Sequence, residues 1–178
     1  SINGEFQDIS LAQWRQAIDV NLYGVVYGCK SAYPRMIEQG FGQIVNTASI
    51  AGLIPGGPFT SYTASKHAVV GFTQALRGEA RQYGIKVNNL CPGYMRTNIQ
   101  KSTPVVSDYL KSEHSRDKNA NMKFPAPDDC VGHMMRGVKR NKSVIVSPRG
   151  QKIYWWIYRL FPSSIPFLFS KIIKSLKK

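Results

Sequence analysis

The 178-residue chain is short of acid: it has 10 Asp and Glu against 24 Lys and Arg, a net charge of +14. No acidic residue follows Asp129, while ten basic ones fall between Lys139 and Lys178. A basic end of this kind suits an anionic partner such as a lipid surface or nucleic acid, or else forms a solvated basic surface. Cysteine is scarce as well. Cys29, Cys91 and Cys130 are odd in number and lack metal-ligand spacing, and they read as reduced, mostly buried thiols of an intracellular protein. No apolar run reaches the roughly 18 residues that a spanning helix needs, and no signal-peptide pattern appears at the start. HExxH, CxxC and GxSxG are all missing, so neither a metal site nor a serine-hydrolase elbow is expected. Internal repeats and low-complexity segments are also absent. No aromatic-interleaved RNA motif or helix-turn-helix occurs, so nucleic acid is not an expected partner. The first residue is Ser1 rather than Met, which raises the expectation of a fragment or a processed chain.

What is present is enough for one globular domain. Hydrophobic residues make up 43% and aromatic residues 11%, outside the range of disordered chains. Ser10 and Gln13 fit a capping box, with Ile9 and Trp14 placed as a hydrophobic staple. Apolar residues then recur with helical spacing from Leu11 through Trp14, Ile18, Leu22, Val25, Cys29, Tyr33 and Met36, and Gly40 stops the helix. Residues 43–49 read as a strand. Its short apolar centre, Ile44-Val45, fits a sheet covered on both faces. Residues 50–59 form a Gly- and Pro-rich loop, 62–83 a helix broken by Gly84, and 86–91 a strand ending at Pro92-Gly93. Residues 94–127 read as a long irregular loop able to cover a substrate. Residues 128–140 follow as a helix and 143–147 as a last strand. The helix–strand alternation implies an α/β fold with a parallel sheet. Ligands of such sheets gather at the carboxyl ends of the strands, where Ser49 and Pro92-Gly93 fall.

Tyr62 and Lys66 lie four residues apart at the start of a helix, so they share one face. A free tyrosine, with a pKa of about 10, is a poor acid–base group at neutral pH. A neighbouring ammonium favours the phenolate and is expected to lower that value. Tyr62 could then protonate a carbonyl or deprotonate an alcohol, and Ser49 could donate a hydrogen bond to the same oxygen. Taken alone, Tyr-x-x-x-Lys also fits an exposed tyrosine beside a solvated lysine. Asn21, three residues after Ile18 and four before Val25, faces inward, and its amide needs partners there. His67, about 100° round the helix from Lys66, reads as a packing or surface residue. His114 and His133 stand alone.

These pieces resemble the short-chain dehydrogenase/reductase family: Asn21-Leu22-Tyr23-Gly24, Ile44-Val45-Asn46-Thr47-Ala48-Ser49, Tyr62-Thr63-Ala64-Ser65-Lys66, and Val87-Asn88 with Pro92-Gly93. Their spacing agrees too, with 28 residues from Asn21 to Ser49, 13 on to Tyr62 and four more to Lys66. The resemblance covers residues 1–147. It implies a Rossmann-like, doubly wound parallel sheet and hydride transfer between NAD or NADP and a small-molecule alcohol or ketone. By position, Tyr62 matches the acid/base, and Lys66 the lysine that tunes it and holds the nicotinamide ribose. Ser49 matches the serine that orients the substrate oxygen, and Asn21 the asparagine that positions a relay water. Pro92, Gly93, Met95 and Thr97 match the segment that meets the nicotinamide.

The family's glycine-rich phosphate turn, its Asn-Asn-Ala-Gly segment and the residue that selects NAD or NADP have no counterpart in the chain. The expected fold therefore lacks its N-terminal strands and glycine-rich loop. Large apolar surfaces should be exposed, and the chain alone is expected to be unstable or inactive although its parent is an enzyme. The alternative is a non-catalytic remnant that serves as a binding or membrane-peripheral module. The division expected is a catalytic portion, residues 1–148, and a basic aromatic tail, 149–178. The tail's aromatics beside Lys and Arg suit a membrane interface, a cover over the substrate pocket or a dimer contact. Its prolines argue against one spanning helix. The expected assembly is a homo-oligomer with a lipophilic substrate, in the cytoplasm or peripheral at a membrane surface.

Overall fold

The computed structural model describes residues 1–111 and 124–177. His114 and part of the expected loop over residues 94–127 lie outside the described residues.

The capping box forms as the sequence predicts. Ser10 Oγ accepts the Gln13 N–H, and the Gln13 side chain accepts the Ser10 N–H at 2.9 Å. Helix α1 (Leu11–Ile18) runs into a wider π-type turn, Asp19–Tyr23, and continues as α2 (Gly24–Gln39). The long helical repeat is therefore one rod with a bulged middle. Gly40 ends it at φ 73°, a left-handed conformation in which a side chain would be strained.

Strand β1 (Gly42–Thr47) leads to a short turn, Ile50–Gly52, and then to helix α3 (Thr60–Ala80). Gly84, at φ 69°, closes that helix and opens β2 (Ile85–Pro92). Within the expected loop the described residues hold two short helices, α4 (Ile99–Ser102) and α5 (Asp108–Lys111). Helix α6 (Pro127–Lys139) and strand β3 (Val144–Ser147) complete the sheet. The tail folds into two further helices, α7 (Lys152–Leu160) and α8 (Ser164–Leu176).

The three strands pair in parallel in the order β1-β2-β3, with Ile44 opposite Val87 and Leu90 opposite Ile145. Helices cover both faces. On one, Ile44, Val87 and Ile85 pack with Leu76 and Ala80 of α3 and Cys29 of α2. On the other, Gly137 of α6 lies so close to Ile145 that a Cβ there would come within 2.8 Å of its side chain. The sheet is doubly wound, as expected.

Strand β1 departs from expectation on one face. Ile44 and Asn46 are buried, but Val45 between them is 39% exposed. Helix α6 packs on β3 and reaches β1 through the Gln43 side chain, which donates to Val138 O at 2.9 Å. The short apolar centre of β1 is therefore covered on one face, not two. Phe6, Leu11, Val20 and Phe41 are exposed as well.

Candidate active site

Ser49 follows β1 and opens the turn at Ile50. Its extended backbone lets Oγ accept the Ala51 N–H at 3.2 Å while donating to Pro92 O at 3.4 Å. The ends of β1 and β2 are thus tied together through a buried hydroxyl. Gly52 allows this turn to lie against α3, since a Cβ at that position would meet the Lys66 carbonyl oxygen at 2.5 Å.

Tyr62 and Lys66 sit in the first two turns of α3, half-buried. Lys66 Nζ donates to Thr47 O at 3.1 Å and lies over the Tyr62 ring, 5.8 Å from its centroid. Phe59 meets the same ring edge-on at 6.4 Å. The bare motif's other reading, an exposed tyrosine beside a solvated lysine, does not describe this pair.

The electrostatics correct one expectation. The Tyr62 phenol stands above the usual tyrosine pKa, because burial penalises the phenolate more than a hydrogen bond from Ser49 favours it. Lys66 was expected to pull the value down. Instead its own pKa falls, again through burial, offset in part by Cys91. Loss of water is the dominant influence on both groups in this chain. Cys91 is pushed up to about 12 by burial, so it is a thiol rather than a nucleophile.

Asn21 lies in the π-type turn and is half-buried. Its amide partner is Ser65: Asn21 Nδ2 donates to Ser65 Oγ at 3.0 Å, and Ser65 Oγ donates to Tyr62 O at 2.7 Å. The first helical rod is thereby fastened to the backbone of Tyr62. Pro92 and Gly93 leave β2 beside Ser49, and the Gly93 N–H donates to Ser147 O at 2.8 Å. Met95 and Thr97 follow on the same segment. Thr97 Oγ1 accepts the Ile99 N–H at 3.4 Å, and the Arg96 N–H donates to Pro125 O at 2.9 Å. Ser49, Tyr62, Lys66 and Pro92 thus converge, Asn21 reaches them through Ser65, and Met95 and Thr97 follow in sequence without a hydrogen bond to Ser49, Tyr62 or Lys66.

Gln151 is a neighbour that the sequence did not reveal. Its Oε1 accepts the Tyr94 N–H at 2.8 Å and its Nε2 donates to Tyr94 O at 3.0 Å. A Cβ on Gly93 would fall 1.8 Å from Gln151 Oε1. The root of the tail therefore grips the backbone of the segment that leaves β2. Ser65 was missed too, since serine next to lysine in a helix carries no signal of its own. His67 takes a local contact, its Nδ1 lying 2.9 Å from Thr63 O.

The chain has counterparts among known proteins. The family model described as short chain dehydrogenase matches residues 1–105. A cyclohexanol dehydrogenase of an Acinetobacter species is 39% identical over 107 residues, 60% of this chain and 40% of that protein. A probable oxidoreductase, EphD, of Mycobacterium tuberculosis is 32% identical over 170 residues, which is 91% of this chain and 28% of that one. The solved structure of a short-chain dehydrogenase from Sphingobium yanoikuyae in complex with NADPH shares the fold, with TM-score 0.73 and 23% identity over 96% of this chain and 61% of that one. The chain spans 40% or less of the length of these two curated relatives. With a Rossmann-like fold, and with the family model matched over residues 1–105, more than half of the chain, the chain belongs to the short-chain dehydrogenase family.

Proposed function

We propose that this chain forms the catalytic part of an NAD(P)-dependent oxidoreductase that interconverts a lipophilic alcohol and its ketone. The observation that carries the reading is the convergence of the Ser49 hydroxyl, the Tyr62 phenol and the Lys66 ammonium at the carboxyl ends of β1 and β2.

The residues present fit the nicotinamide end of the cofactor. Lys66 gives one hydrogen bond to Thr47 O, and an ammonium has three donors, so two remain for ribose hydroxyls. Pro92, Gly93, Met95 and Thr97 line the segment beside it and would meet the nicotinamide ring and its carboxamide. The glycine-rich turn for the pyrophosphate has no counterpart in these 178 residues. When bound, the cofactor supplies or accepts a hydride.

The chain's own residues handle the proton. In reduction, Tyr62 gives its phenolic proton to the carbonyl oxygen as charge builds there, and the Ser49 hydroxyl, turned from its long 3.4 Å bond to Pro92 O, donates a second hydrogen bond to that oxygen. In oxidation, the Tyr62 phenolate takes the alcohol proton. Burial outweighs any pull of Lys66 on Tyr62 in the chain without cofactor, and with cofactor bound the Lys66 ammonium would stabilise that phenolate electrostatically. Asn21, through Ser65, holds the helix that carries Tyr62, and its position suits a water that relays protons to Lys66.

The groove between α2 and α3, about 260 Å³ and lined by Cys29, Tyr33, Pro34, Phe72 and Leu76 together with Lys30 and Glu79, supports self-association through this face. Three free, buried cysteines suit a reducing, intracellular setting.

The test is turnover of cyclohexanol and of longer-chain and bulkier secondary alcohols with NAD and with NADP, using the longest natural form of the protein. Cofactor reduction with at least one alcohol is expected. A folded protein that turns over none of them with either cofactor would contradict the proposal.

A further inference from the structure

The tail helices present two faces, and the body uses one of them. On α7, Trp155 and Tyr158 pack against the core of Ala48, Leu53, Val69 and Cys91. On α8, Ile165 is buried and Ile173 reaches Gly57. Lys177 pairs with Glu5 at 2.8 Å and lies over the Tyr109 ring at 5.2 Å. The hairpin is therefore seated on the domain along its inner side.

Its outer side is apolar. Ile153, Trp156, Ile157 and Leu160 occupy positions i, i+3, i+4 and i+7 of α7, one stripe of a helix, and all four are exposed, Leu160 by 71%. Phe161 continues the stripe into the turn, and Phe167 (61% exposed), Leu168 and Ile172 extend it along α8. The charged neighbours are all basic. Arg159 lies over the Trp155 and Trp156 rings at 5.5 and 5.7 Å, Lys152 lies over Trp156 at 5.7 Å, and Lys171 lies over Phe167 at 4.5 Å.

We infer that the outer face of α7 and α8 docks on an anionic lipid bilayer, with the helices in the plane of the interface. The pattern meets the requirements of an interfacial helix: aromatic and aliphatic side chains on one face, lysine and arginine flanking them, and no Asp or Glu in the sequence of the two helices to be driven into anionic headgroups. No helix among the described residues is long and apolar enough to cross a membrane, which leaves the parallel orientation. Charge weighs against a second copy, because this face against itself would set Arg159 and Lys171 beside their own counterparts in a chain of net charge +14. A continuous apolar stripe is equally ill suited to nucleic acid. The inference is independent of the catalytic reading.

The test is co-sedimentation of the full-length protein with phosphatidylcholine vesicles and with vesicles that also contain phosphatidylglycerol. Partition onto the anionic vesicles is expected to be at least about tenfold stronger and to weaken as salt rises. The triple variant Trp156→Ser, Leu160→Ser, Phe167→Ser should lose at least about tenfold in partition with an unchanged melting temperature, since these side chains face outward. Lys152→Gln with Lys171→Gln and with Lys174→Gln, an exposed lysine of α8, should remove the preference for anionic lipid. The wild-type protein provides a readout that needs no variant, a blue shift of tryptophan emission on adding anionic vesicles. Absence of wild-type sedimentation and of the shift overturns the inference. So does undiminished binding by a folded triple variant. A triple variant that turns from oligomer to monomer in light scattering, with no vesicle binding by the wild type, assigns the face to a second copy instead.

Discussion

Tyr62 is held above its usual pKa by burial, and this sets the direction of the pH dependence. A phenol with a raised pKa is protonated through neutral pH, the form that carbonyl reduction needs. Reduction should therefore stay flat from neutral pH upward and fall only as pH passes the raised value, while alcohol oxidation, which needs the phenolate, should rise over the same range. Initial rates in the two directions across that range check the sign. If bound cofactor brings Lys66 into play, both limbs shift together to lower pH. Gln151 supplies a second residue-level prediction. Gln151→Ala frees the Tyr94 backbone. It should raise the KM for the nicotinamide cofactor severalfold with a smaller change in kcat, and Gln151→Glu, which can still accept from Tyr94 N–H, should recover part of the loss. The contrast between these residues shows what the sequence could disclose. Asn21, Ser49, Tyr62 and Lys66 were legible because their spacing is matched as a set. Gln151 meets Tyr94 from 57 residues away through backbone atoms, a contact that leaves no trace in residue type. The pKa of Tyr62 was misjudged for a related reason, since proximity to Lys66 is visible in the spacing but burial of the pair is not.

At the level of elements, the turn between β1 and α3 does most to place the site. Gly52 sits against the Lys66 carbonyl with no room for a Cβ, and backbone on both sides restricts relaxation. Gly52→Ala should cost about 1–3 kcal/mol in denaturant unfolding and should lower activity even where the protein folds. Gly71→Ala, with nothing near its added Cβ, is the matched control and should be neutral or slightly stabilising. Local chemistry predicted most of these elements well. The capping box, Gly40 and Gly84 fixed three helix boundaries because each works through its immediate neighbours. The π-type turn at Asp19–Tyr23 was invisible, since one extra residue in a turn barely disturbs an apolar repeat. The apolar centre of β1 suggested cover on both faces, but a strand's composition does not say which helices reach it, and α6 sits over β3. The tail was legible as aromatic and basic. That it forms two helices follows from Pro162 between them and Pro166 in the first turn of α8, where a missing N–H costs little.

At the scale of the molecule, the sheet has β1 at one edge, and the site lies beside that edge. On the proposed reading the chain supplies the chemical end of a dinucleotide site, and its 178 residues include no glycine-rich phosphate turn. We therefore propose that residues 1–148 act as a catalytic portion and 149–178 as a docking hairpin. The chain on its own should bind NADH no more tightly than reduced nicotinamide mononucleotide, because the adenine half finds no partner. Titration calorimetry with the two ligands checks this, and markedly tighter binding of NADH would reveal an adenine site elsewhere in the chain. The most direct test of the central claim is the turnover of Tyr62→Phe in the full-length protein, measured beside its melting temperature. The claim predicts a fall in kcat of about 10²–10⁴-fold with the fold intact, since the phenol hydroxyl is lost and the ring that packs against Phe59 is kept. A folded Tyr62→Phe variant that retains the wild-type rate would contradict it.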